Sequence, residues 1–371
     1  MKIKKMNIQV IDLKKRYAEE RTQILKCIDR VLTKGNLVLT SEVDNFEKAV
    51  CKFTRSKYCL TLNSGTDALM MSLYSLGIKK GDEVITTPIS FVASVNAIIH
   101  MGAKPVFVDV DIDLNINPNL IEKYITKKTK AIMPVHWTGR MCNMQKIRSI
   151  AKKHKLFIIE DAAQAMGSAY NGKHAGFYSD ISAFSTHPLK NLNALGDGGF
   201  ITTNKKKLYD KIKLYRNHGL KGRDNAVEAG VNSRLDSLNA EVLNFRLTKL
   251  NTLIKKRQRN INLYKKFITT DKVKIIDDKT KQKNSHVMFI TLCEKRDKLQ
   301  KYLAKNNIQS LIYYKTPLHM HPSTKFLGYK KGDFPVAEKI ATKVLALPHH
   351  QHLTNKEIKK VCSSIENFYQ L

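Results

Sequence analysis

The segment Tyr58–Gly77, "YCLTLNSGTDALMMSLYSLG", decides the fold. Five residues of strand character run into a small-residue turn, "NSG", and the turn opens a helix, "GTDALMMSLYSLG". The alternation of short strand-like runs with helical patterns continues to about Leu214. "DEVITT" leads into "SFVASVNAIIHMG", then come "KPVFVDVD", a helix near Asn119 to Tyr124, "KAIMPVH" with "NMQKIRSIAKKH", "LFIIEDAA", "DISAFS" and "GFITTN". Short β-branched runs alternating with helical patterns predict an α/β domain whose largely parallel sheet is buried on both faces. Beyond about Leu238 the pattern changes to a long lysine-rich helix, "LNAEVLNFRLTKLNTLIKKRQRNINLYKKF", followed by shorter β and α segments. A chain of 371 residues exceeds one ordinary core, so a large domain over residues 1–240 and a smaller C-terminal α/β domain over 241–371 are expected.

Composition narrows the partners. The formal charge of +33 comes from lysines in short groups all along the chain, "TKKTK", "NKKKLYDKIK" and "IKKRQRN" among them. No long basic tail and no aromatic interleaving accompany them, so a solvated lysine-rich surface is expected rather than a nucleic-acid site. Such a surface still attracts phosphorylated substrates. The six cysteines lie far apart without a C-x-x-C pair, which reads as reduced cytosolic thiols and gives neither a disulfide frame nor a metal site. No apolar run reaches the roughly 18 residues of a membrane span, and the N-terminus lacks a signal-peptide core. The cytoplasm is the expected compartment.

In open α/β sheets ligands bind beyond the carboxyl ends of the strands. In "LTLNSGTDALMMSL" the helix N-terminus and the Thr66 hydroxyl form an anion site suited to a phosphate, or else Ser64 or Thr66 simply caps the helix. In "LFIIEDAAQAMG", Asp161 ends an apolar strand; it either meets a cation such as a pyridinium or serves as a helix N-cap. Phe91 in "TTPISFVASVNAI" stacks on a flat cofactor or fills the core. Lys190 in "HPLKNLNALGDGG" falls in a Pro-interrupted loop, where burial would make its amine a nucleophile; otherwise it is one more surface charge. Ser185, five residues earlier, offers a hydroxyl to a phosphate. Phosphate cradle, stacking ring, acid and amine together match pyridoxal 5'-phosphate, which uses a lysine Schiff base and an acidic partner for its ring nitrogen.

Over nearly its whole length the sequence resembles the sugar aminotransferases of the DegT/DnrJ/EryC/StrS family, which have the fold type I, aspartate aminotransferase-like architecture. The matching pieces include "GNLVLTSEVDNFEKAV", "NSGTDALMMSL", "GDEVITTPISFVASVNAI", "IIEDAAQAMGS", "HPLKNLNALGDGGFITTN", "GVNSRLDSLNAEVL", "YYKTPLHMHP" and "GDFPVAEKIATKVLALP". The resemblance implies that Lys190 forms the Schiff base with pyridoxal 5'-phosphate and that Asp161 pairs with the ring nitrogen. It puts Phe91 on the ring face and Gln164 near the 3'-oxygen. Gly65, Thr66 and Ser185 would hold the cofactor's phosphate, joined by Asn232 from the partner subunit of a homodimer with shared active sites, and Asp67 is a further cofactor-binding residue. Tyr314 and His319 fall in a segment that the family often turns toward the sugar nucleotide.

The activity implied is transfer of an amino group, with glutamate as expected donor, to a nucleotide-linked keto sugar. The tail "KNLNALGDGG" is closer to relatives that aminate C3 than to those acting at C4, where "GEGG" is commoner. "LVLTSEV" lacks a glycine usual before the "xEV" element, which touches a loop and not the chemistry. Relatives that dehydrate sugars carry histidine in place of the lysine, and this chain keeps Lys190 with His187 close by. A sugar dehydratase or cyclitol aminotransferase of the same family, and a nucleic-acid-binding regulator, are the competing readings.

Overall fold

The computed structural model describes residues 8–371. Seven strands form the central sheet: β1 Tyr58–Leu62, β2 Glu83–Thr86, β3 Lys104–Phe107, β4 Thr129–Ile132, β5 Phe157–Asp161, β6 Ile181–Ser185 and β7 Gly199–Thr203. Their spatial order is β1-β7-β6-β5-β4-β2-β3. Pairings among β3, β2, β4, β5 and β6 are parallel, and β7 alone runs against its neighbours β6 and β1. The mixed α/β architecture follows the sequence reading, and β7 is the strand that the glycine-rich tail after Lys190 returns to.

Alternation along the strands divides the core. Ile158, Phe184 and Phe200 point to one face, where they meet α2 Ser41–Thr54, α5 Met144–Lys153 and the first half of α7 Ser237–Phe267. Ile159, Ala183 and Ile201 point to the other, against α3 Gly65–Ser75, α4 Ala93–His100 and α6 Lys206–Tyr215. A parallel sheet covered on both faces needs apolar residues at both parities, which is why these strands read as continuous hydrophobic runs.

The smaller unit is an antiparallel sheet of β8 Val273–Ile275, β9 Ile290–Cys293 and β10 Val344–Ala346, with α8 Arg296–Lys305, α9 Pro335–Lys343 and α10 Asn355–Gln370 around it. The expected boundary after residue 240 falls inside α7, which is continuous. Its residues through Ile254 pack on the large core, and Ile261 and Tyr264 on the small one. Ile8 also joins the small core, bridging Ile308, so the N-terminal segment crosses to the C-terminal unit before α1 Leu13–Lys34 begins. Asp109, just after β3, accepts the Val336 and Ala337 N–H groups at 2.9 Å each and so caps the start of α9 from the large domain.

Six arginines are buried and no lysine is, among the described residues. Most of the described lysines therefore lie at or near the surface, while the planar, multiply donating guanidiniums do the internal work.

Candidate active site

The carboxyl ends of β1, β2, β5 and β6 open into one cleft of about 400 Å³, closed on its far side by Tyr313, Tyr314, Val287 and His349 of the smaller unit. Asp161, the last residue of β5, is 5% exposed on this cleft. Ser94 of α4 donates its hydroxyl to Asp161 Oδ2 at 2.6 Å, and the Ala163 N–H donates to Oδ1 at 3.2 Å. Burial pushes the Asp161 carboxyl up from its usual range, opposed by these hydrogen bonds and by the charge of Lys190. It is therefore held by neighbours rather than capping a helix.

Lys190 is half-buried and lines the same cleft. Burial pushes its ammonium down to about 8, although Asp161 favours the charged form. This sets it apart from the exposed lysines: a usable fraction of its amine is neutral near physiological pH.

Gly65 begins α3, and Ser185 ends β6 directly against it. A Cβ at residue 65 would come within 2.7 Å of Ser185 Cβ, so only glycine lets the Ser185 hydroxyl lie beside the helix N-terminus. Gly199 plays the matching part from β7, since a Cβ there would meet the Ser64 carbonyl oxygen at 2.4 Å. Ser64 caps the helix by accepting the Asp67 N–H at 3.0 Å, as one sequence reading expected. Capping and cradle coexist, because Ser64, Gly65, Thr66 and Ser185 all line the cleft. The first-turn N–H groups and two hydroxyls form a pocket suited to a phosphate.

Phe91 is 56% exposed on the cleft and stands 6.3 Å from the Tyr314 ring, which in turn stacks on Trp137 at 5.9 Å. The alternative of a core phenylalanine does not hold. Gln164 is 7% exposed, lines the cleft, and its Oε1 has no partner. A buried amide left with an open bond fits a polar group on a ligand.

Asp67 and His319 lie elsewhere, and Asn232, expected from a partner subunit, lies outside its own chain's cleft. Asp67 turns from the cleft and accepts the Ser233 hydroxyl at 2.7 Å. Asn232 is exposed on a bridge to Asn217 and lines no part of its own chain's cleft. His319, expected near the substrate, is 2% exposed; its ring packs on Phe334 at 4.8 Å and its Nε2 pairs with Glu338 at 3.1 Å. Its place is in the packing behind the Tyr314 segment. Ser94 went unnoticed in the sequence, although a serine in the first turn of a helix following a β2-type loop is well placed to reach the sheet edge.

The donor set fits pyridoxal 5'-phosphate: an amine with a lowered pKa, a buried carboxylate, a glycine-dependent phosphate pocket and an aromatic wall on one cleft. Among the described residues no cluster of His, Cys, Asp and Glu is placed to hold a metal ion, and no helix is long and apolar enough to cross a membrane.

The chain is similar to known proteins over nearly its whole length. The "Pleiotropic regulatory protein" of Geobacillus stearothermophilus is 37% identical over 369 residues, covering 98% of this chain and 99% of that one. The dTDP-3-amino-3,6-dideoxy-alpha-D-galactopyranose transaminase of Aneurinibacillus thermoaerophilus is also 37% identical, covering 97% and 99%. The crystal structure of S. venezuelae DesV in complex with a ketimine intermediate superimposes with a TM-score of 0.96 at 33% identity, covering 98% and 99%. The family model of the DegT/DnrJ/EryC1/StrS aminotransferase family matches residues 18–366, and the chain belongs to that family of sugar aminotransferases.

Proposed function

We propose that this enzyme moves an amino group from glutamate to a nucleotide-linked 3-keto sugar, with pyridoxal 5'-phosphate as cofactor. The observation that carries the reading is the pair Lys190 and Asp161 on one cleft, the amine lowered to about 8 and the carboxylate buried beside it. The relative from Aneurinibacillus is named for a 3-amino sugar, which supports C3 as the position aminated.

When bound, the cofactor supplies an aldehyde that condenses with amines and a ring that accepts the electron pair left on carbon. Lys190 Nζ would hold it covalently, Asp161 would keep its ring nitrogen protonated, and Gly65, Thr66 and Ser185 would hold its phosphate. Lys190 Nζ would also serve as the general base that takes the proton from the donor's α-carbon and as the general acid that returns it. Phe91 and Tyr314 would form the aromatic wall beside this amine. Asn232, exposed outside its own cleft, fits a residue that completes the site of a second copy in a homodimer. All six cysteines are free, which suits the reducing cytoplasm.

The test is a screen of keto-sugar nucleotides, with 3-keto and 4-keto isomers, after loading with glutamate. Release of 2-oxoglutarate before the sugar is added, then an aminated sugar from the 3-keto isomer, is expected, with ping-pong kinetics. Consumption of the sugar without an aminated product would assign a dehydratase instead. Capture of the cofactor by the free chain should accelerate as pH rises through about 8, because only neutral Lys190 reacts. A rate still climbing tenfold per unit up to the ordinary lysine range near 10.4 would sink that account.

A further inference from the structure

Three buried guanidiniums hold the loop behind Lys190. Arg16 of α1 donates through Nη1 to the Asn191 carbonyl at 3.3 Å. Arg246 of α7 donates to the Asn193 carbonyl at 2.7 Å and to that of Ala194 at 3.2 Å. Arg257, three turns further along the helix, donates to the Asn191 side-chain oxygen at 2.6 Å. Arg16 and Arg246 share Glu20, at 3.1 and 2.9 Å, so their charges are compensated.

Arg257 differs. It is 2% exposed, and none of its hydrogen bonds goes to a carboxylate. Besides Asn191 Oδ1 its acceptors are the carbonyls of His286 and Val287, both at 3.2 Å, and Gln351 Oε1 at 3.3 Å, while its Nε has no partner. An uncompensated buried cation is costly, and an apolar side chain of the same volume would serve stability better. Burial and the charge of Arg16 push the guanidinium down to about 9.

What this arrangement achieves is a connection. Asn191 follows Lys190 in the chain, and its amide is gripped at both ends: Oδ1 accepts from Arg257, and Nδ2 donates to the Ser285 carbonyl at 2.5 Å. The segment Ser285–Val287 leads into the wall of the cleft that faces Lys190, with Val287 lining it. His349, another wall residue, donates Nε2–H to the same two carbonyls that Arg257 uses, at 2.9 and 3.1 Å. The planar fork of arginine can reach the lysine loop and the smaller unit at once, which an ammonium cannot.

We propose that Arg257 is a positioning residue for Lys190, its guanidinium bridging Asn191 to the His286 and Val287 carbonyls so that the amine stays in register with the opposite wall. The proposal rests on Lys190 carrying the amine chemistry.

The full-length protein is mixed with pyridoxal phosphate, capture is followed by visible absorbance, and the attachment point is fixed with borohydride and located by mass spectrometry. Label on a lysine other than Lys190 in the wild type would overturn the assignment of Lys190, and the clamp with it. With Lys190 labelled, Arg257→Met and Asn191→Ala are each expected to slow capture about tenfold. The double variant is expected to be no slower than the slower single, because both changes break one link. Arg257→Lys, which keeps the charge and loses the fork, is expected to stay slow; a wild-type rate there would assign the effect to charge and overturn the clamp. A wild-type rate in folded Asn191→Ala, or losses in the double variant that multiply, would overturn it as well. Should Arg257→Met fail to fold, Arg257→Lys and Asn191→Ala complete the same cycle.

Discussion

Glu160 and Asp161 are adjacent carboxylates at the end of one strand, and the strand sends them to opposite faces. Glu160 follows Ile158 onto the α2, α5 and α7 side and is wholly buried. Its Oε2 accepts the His136 Nε2–H at 2.7 Å and the Gly176 N–H at 3.0 Å. His136 Nδ1 accepts the Cys142 N–H at 3.2 Å, which assigns the ring proton to Nε2. Asp161 follows Ile159 onto the α3 and α4 side, where the wall is the cleft. Each carboxylate accepts two hydrogen bonds, yet only one of them meets a space where a cation can arrive. The same chemical group becomes structural or functional by the period of two along a strand.

The strongest way to break this comparison is to remove each side chain in turn. Asp161→Ala should lower kcat by about two to three orders of magnitude, the size of effect seen when a preorganised electrostatic partner of the reacting centre is removed. The Gly65–Ser185 phosphate pocket is untouched by this change, so cofactor affinity should fall far less than turnover. Undiminished turnover, measured by release of 2-oxoglutarate, would deny Asp161 its role.

Glu160→Gln sharpens the contrast from the other face. The glutamine oxygen can accept from His136 and Gly176, but its amide nitrogen would occupy the place of Glu160 Oε1, which is buried without a partner. Leaving a buried donor unpaired costs about 1–3 kcal/mol. A lower unfolding midpoint with turnover near that of wild type is therefore expected. Loss of turnover with an unchanged melt would show that the chemistry is not confined to the Asp161 face.

Much of this was legible in the chain itself. The strand-turn-helix at Tyr58–Gly77 and the alternation that follows it gave the parallel sheet, because strands buried on both faces leave continuous apolar runs that helices must interrupt. Lys190, Asp161, Gly65 and Ser185 stood out because each ends a strand or comes soon after one, where the sheet's ligand edge lies, and all four line one cleft. His319 was misplaced for the converse reason. It is carried by a short turn, Leu318–Met320, whose orientation is set by packing on Phe334 and not by any local pattern. Arg257 was passed over inside a lysine-rich helix, although the choice of arginine over lysine was itself a signal: buried cations in this chain are arginines. The domain boundary was blurred because α7 serves two cores and its surface pattern does not change where the cores do.

The finest distinction lies in how Asp161 stays ionised. Ser94 is 1% exposed, and its hydroxyl lies 2.7 Å from that of Ser90 while donating to Asp161. That hydrogen bond opposes the upward push of burial on the carboxyl. Ser94→Ala removes it, so the Asp161 pKa should rise further. On the proposed reading activity needs the carboxylate form, and a raised pKa means that ionisation is lost sooner as pH falls. The acid limb of the kcat/KM profile should therefore move to higher pH, with a loss of up to about tenfold near neutrality, in keeping with one hydrogen bond to a charged group worth roughly 1.5 kcal/mol. Ser94→Thr retains a hydroxyl at the same place and should keep the wild-type limb. An acid limb that stays put in Ser94→Ala would mean that Asp161 is held by Ala163 and Lys190 alone.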